Sequence, residues 1–158
     1  MRYEQILDKA LTLIGGGSPA LFSTIGEGGF PHSRWMVPCA IPRLKGMIYA
    51  VTARGFTKTA EIEADDRVEW AFQAPDFSEV VTLRGRARLV EDPSFYAEVL
   101  KAIGPNLVVF WKVAKDPSSV RVVETEIVSA SLLLPRSGER FSASASTPAE
   151  ATEDTGNG

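Results

Sequence analysis

Histidine and cysteine are almost absent from this chain: His32 and Cys39 are the only ones among 158 residues. A lone cysteine makes no intramolecular disulfide, so the fold must rest on its core, and a single free thiol suits a reducing compartment. One histidine and one cysteine fall short of the ligand set of a zinc site. A Ser-His-Asp triad would have to use His32, which follows Pro31 with no nucleophile motif beside it. No apolar run approaches the roughly 18 residues of a membrane span. The segment after Met1 is amphipathic and unlike the apolar core of a signal peptide. The expectation is a soluble cytoplasmic protein with no membrane association and no metal. Phosphate-loop and dinucleotide glycine patterns are missing too. Gly26, Gly28 and Gly29 crowd one turn between two strand-like segments, which marks a hairpin. Glu61 and Glu63 stand two apart on a short helix and do not share a face, so paired-carboxylate hydrolysis has no support.

Positive charge is not in excess. The net charge is -3, and the last seventeen residues hold Glu150, Glu153 and Asp154 but no Lys or Arg. The rest of the chain is formally neutral, so there is no electrostatic footprint for nucleic acid, and any anion site must be local. From Ser142 onward there is no apolar residue larger than Ala. Such a segment cannot offset its ordering entropy, and a disordered acidic tail is expected over 142–158 after a domain spanning 1–141.

Apolar residues dominate what remains. Tyr3, Ile6, Leu7, Ala10, Leu11 and Ile14 recur at helical spacing, and Gly15-Gly16-Gly17 ends that helix. Strands are expected over 18–24, 30–38, 47–52, 67–74, 79–90 and 120–134, with a short helix over 57–64. Val68, Trp70 and Phe72 share one strand face, as do Val81, Leu83 and Ala87 in the next. Asp92 can cap a further helix that has Pro93 in its first turn. Six or so strands joined mostly by short turns point to a mainly β (α+β) domain, an antiparallel barrel flanked by helices.

Two segments carry candidate chemistry. Thr52 to Lys58 leaves a strand and opens a helix, where backbone N–H groups favour anions. Thr52, Arg54, Thr57 and Lys58 add hydroxyls and charge. The alternative is a capped helix with solvated basic residues. Arg34 sits mid-strand among apolar neighbours and calls for an anionic partner, either a ligand or a carboxylate on a neighbouring strand. Trp35, Met36 and Val37 suit a ligand slot or the core equally. Arg84, Arg86 and Arg88 share one strand face, ready for an acidic partner or polynucleotide, or for carboxylates on adjacent strands such as those around Glu69 or Glu124.

The succession of these segments resembles the pyridoxamine 5′-phosphate oxidase-like FMN-binding split-barrel superfamily, in its general-stress-protein branch. The resemblance is carried by Ala20-Leu21-Phe22-Ser23-Thr24, by Gly29 through Pro38, by Ile48-Tyr49-Ala50-Val51-Thr52 and by Thr57-Lys58-Thr59-Ala60-Glu61-Ile62. It continues through Arg67-Val68-Glu69-Trp70-Ala71-Phe72 and Leu83 to Val90. It implies a split β-barrel and a homodimer with FMN at the subunit interface. It also implies that Arg34 and Lys58 contact the phosphate with help from Thr52 and Thr57. Trp35, Met36 and Val37 would line the isoalloxazine, with Trp111 contributing. The activity implied is that of a flavin-dependent oxidoreductase on a small substrate. The alternative is a non-enzymatic flavin carrier, redox sensor or haem-binding module. The chain lacks the arginine-rich C-terminal motif of the oxidases and has Glu79-Val80-Val81-Thr82 in place of their Arg-Gln pair, so vitamin B6 oxidation is not expected; Thr57 stands where they have arginine, which implies weaker phosphate binding.

Overall fold

The computed structural model describes residues 1–53, 57–104 and 120–146. Helix α1 (Tyr3–Gly15) leads into the hairpin β1 (Ala20–Ile25) and β2 (Pro31–Met36), closed by a short 3₁₀ turn at Glu27–Gly29. There follow β3 (Met47–Ala53), α2 (Thr57–Ala64), β4 (Arg67–Gln73), β5 (Val80–Val90), α3 (Pro93–Ile103), β6 (Val120–Leu134) and β7 (Glu139–Ser144). The glycines do what their positions demand: α1 ends on Gly16, and Gly28 in the hairpin has φ 69°. Asp92 caps α3 by accepting from the Ser94 amide, with Pro93 in the first turn.

The strands form one antiparallel sheet in the order β2-β1-β4-β5-β6-β3, with β7 paired to β6 beside β3. Ala20 and Phe22 of β1 share one core cluster with Ile48 and Ala50 of β3, four places along the strand order. A core shared this far along the strand order fits a sheet rolled around its apolar face. Helix α1 contributes Ile6, Leu7, Ala10 and Ile14 to the same core. At its centre the Trp70 indole N–H donates to Thr125 Oγ1 at 3.1 Å, and its ring lies 4.4 Å from that of Phe22. A second cluster, with Tyr49, Val51, Val99 and Val122, packs β3 and β6 against α3. Gly85 sits where the β5–β6 register shifts, and a Cβ there would run into the Glu126 carbonyl.

The six or so strands expected are seven in the structure, with β7 the addition. Residues 139–144 lack a strong apolar pattern, but the long β6 offers them a ladder, and Phe141 and Ala143 pack against the core. The expected start of the tail at Ser142 therefore falls inside β7, and residues 147–158 lie outside the described residues. No described helix is long and apolar enough to cross a membrane.

Candidate functional site: an anion cradle at the seam of the sheet

Strand β2 is the first edge of the rolled sheet and β3 the other, and α2 leaves the end of β3 to pack on β1 and β5. Side chains from β1, β2, β3 and α2 meet there. Arg34 of β2 has the same parity as Met36, which packs on the core, and its guanidinium lies over the Phe22 ring at 5.8 Å. Its Nη1 donates to Thr24 Oγ1 at 2.8 Å and its Nη2 to Glu61 Oε2 at 3.1 Å. Thr24 donates in turn to the same Glu61 oxygen, closing a ring of three residues. The other Glu61 oxygen lies 2.7 Å from His32 Nδ1. A carboxylate only accepts, so this contact places the imidazole proton on Nδ1. Arg34 and Glu61 are largely sheltered, with side chains 17% and 12% exposed.

Lys58, in the first turn of α2, reaches back to the buried hydroxyl of Thr52, with Nζ–Oγ1 3.0 Å. Burial and then the Arg34 charge lower the Lys58 ammonium from 10.5 to about 8, while the Glu61 carboxylate acts in the opposite sense. Burial pushes the Glu61 carboxyl up, but hydrogen bonds from Thr24, His32 and Arg34 outweigh it and hold the group below its ordinary value. Glu61 is therefore ionised near neutral pH.

Arg34, Thr52 and Lys58 thus converge from three elements. Thr57 is exposed as the first residue of α2, and residues 54–56, Arg54 among them, lie outside the described residues. Met36 is half-buried against the core, and Val37 is half-buried just past the end of β2. Trp35 points away from Arg34. It is 65% exposed on the outer face of the sheet, beside Leu21, Ala71 and Val80. Alternation along β2 forces this, because neighbours in a strand face opposite ways. Trp111 lies outside the described residues.

Sequence reasoning missed Glu61: for Arg34 it offered an anionic ligand or a carboxylate on a neighbouring strand, and the carboxylate present comes from a helix. The available signal was the three-residue spacing of Lys58 and Glu61, which puts both on one face of α2. The donor set suits a phosphate: a guanidinium, an ammonium and threonine hydroxyls, with one carboxylate already among them.

The outer face also holds a cleft of about 530 Å³ lined by Ser23, Pro31, Glu69, Arg84, Arg86 and Val128, among others. Its arginines are spent on carboxylates: Arg84 on Glu69 at 2.9 Å and Arg86 on Asp66 at 2.7 Å. Arg88 pairs with Glu124 at 2.7 Å. Arg84 and Arg88 thus take the cross-strand alternative, whereas the partner of Arg86 lies just before β4. No cluster of metal-ligating side chains occurs among the described residues.

Comparison with solved structures agrees with this architecture. The fold is similar to that of a general stress protein 26-related protein of the pyridoxinephosphate oxidase family from Clostridium acetobutylicum, with TM-score 0.72 and 11% identity over 89% of this chain and 95% of that one. It is similar to general stress protein 26 from Bacillus anthracis, with TM-score 0.66 and 17% identity over 87% and 96% of the two chains. It also resembles a heme binding protein from Mycobacterium smegmatis, with TM-score 0.68 and 19% identity over 88% of this chain and 57% of that one. No curated protein sequence matches the chain. Residues 6–133 match the sequence pattern of pyridoxamine 5′-phosphate oxidase, from α1 to the end of β6, and the chain belongs to that family.

Proposed function

We propose that this chain binds FMN and works as a flavin-dependent oxidoreductase on a small substrate, as a homodimer that seats each cofactor between two copies. The convergence of Arg34 and Lys58 carries this reading. Two cations from separate elements gather about Glu61, and the Arg34 guanidinium keeps its Nε–H and one Nη2 hydrogen for a further anion. Arg34 and Lys58 would hold the phosphate, with Thr52 and Thr57 beside them. The flavin would supply the electron-transfer chemistry, and the chain's own groups would bind and orient it. The exposed Phe30, Trp35 and Val128 give a second copy apolar surface to cover. A cytoplasmic location belongs to the same proposal and rests on the single buried thiol of Cys39.

The test is the absorbance spectrum of the purified protein, followed by titration of FMN against its fluorescence. Flavin absorbance or saturable quenching supports the reading, and colourless protein without quenching overturns it. Steady-state NAD(P)H consumption by the FMN-loaded protein separates an enzyme from a carrier. Light scattering at twice the chain mass supports the dimer. Similarity to a heme binding protein favours one second reading, a non-enzymatic haem or flavin module. It predicts a Soret band on haem addition, and His32 is the sole histidine available as a ligand.

A further inference from the structure

The Arg34 guanidinium is already engaged from inside the protein. Nη1 is used by Thr24 and, at 3.4 Å, by the Phe22 carbonyl, and Nη2 is used by Glu61. An incoming phosphate has the Nε–H and the remaining Nη2 hydrogen left to bind unless it displaces the carboxylate. Displacement is opposed, because Glu61 is also held by Thr24 and His32. The charges agree with this. Among the described residues, Arg34 and Lys58 bring two positive charges to the cluster and Glu61 one negative, whereas a phosphomonoester brings nearly two negative charges near neutral pH. Glu61 is sheltered and ionised, so its repulsion of a phosphate is only partly screened.

We propose that Glu61 is a built-in competitor for the phosphate at Arg34, setting the site to hold a flavin phosphate as an exchanging ligand rather than as a permanently bound group. The inference rests on the flavin-phosphate reading above and names the residue that sets its affinity. A carboxylate whose only role was to orient Arg34 would have the opposite signature, since its loss would loosen the guanidinium and weaken binding.

The two roles separate on Glu61→Gln, which keeps shape and an acceptor oxygen but removes the charge. FMN and riboflavin are titrated by fluorescence against both proteins, with circular dichroism as the fold control. Glu61→Asn, which also removes the charge, serves if the glutamine variant does not fold. The expected result is an FMN Kd lower by about tenfold or more, with a slower stopped-flow dissociation rate and riboflavin affinity unchanged. Unchanged or weaker FMN binding in the folded variant overturns the competitor role while leaving the flavin site standing. Equal tightening of FMN and riboflavin also overturns it, because the effect would not act through the phosphate. Failure of both proteins to bind FMN overturns the flavin-phosphate reading and this inference with it.

Discussion

Lys58 Nζ lies 3.0 Å from Thr52 Oγ1, so the first turn of α2 is tied back to the last residues of β3 by a partly buried ammonium. The same ammonium is lowered to about 8, chiefly by burial and then by Arg34. In the unfolded chain it would titrate near its ordinary value of 10.5. Between about pH 8 and 10.5 the unfolded state binds the extra proton, so this residue makes stability rise with pH through that window. Phosphate binding runs the other way, because it needs the charged form. FMN affinity measured by quenching is therefore expected to fall as pH rises from about 7 to 9. Lys58→Arg should flatten that dependence, since a guanidinium keeps its proton throughout.

Removing both cations tests the cradle directly. Arg34→Ala with Lys58→Ala is expected to weaken FMN by about tenfold or more, or ~1.4 kcal/mol, with riboflavin little affected. Fluorescence titration reads the difference, and unchanged FMN affinity would exclude these residues from the phosphate site.

The buried Trp70–Thr125 hydrogen bond predicts an asymmetric cycle. Thr125→Val strands the indole N–H in the core and should cost about 1–3 kcal/mol in urea denaturation. Adding Trp70→Phe removes the stranded donor, so the double variant should lose less than the sum of the two single losses.

Arg84 and Arg88 make pairs of similar length but unequal consequence. Arg84 and Glu69 are both exposed, and such a pair contributes about 0–1 kcal/mol. Glu124 is only 11% exposed although Arg88 is 71% exposed, and Tyr49 donates to its second oxygen at 2.9 Å. Arg88→Ala should therefore destabilise more than Arg84→Ala, since it strips the charge partner from a sheltered carboxylate. Equal midpoints in chemical denaturation would contradict this.

Most of the secondary structure is legible in the local sequence. Alternating Val68, Trp70 and Phe72, the Asp92–Pro93 helix start and the glycine stops are local signals, because periodicity and dihedral preference act over a few residues. It also showed that Arg34 needed an anion, since a charge in an apolar strand is costly without one. Tertiary structure alone decided which anion. Glu61 is twenty-seven positions from Arg34 and reaches it only because α2 packs on β1 beside the β2 edge. Tertiary structure likewise sent Trp35 outward, since alternation says that Arg34 and Trp35 face opposite ways but not which way is in. It made a strand of the polar segment 139–144 as well, where the ladder on β6 and the burial of Phe141 and Ala143 stabilise what local propensity leaves undecided.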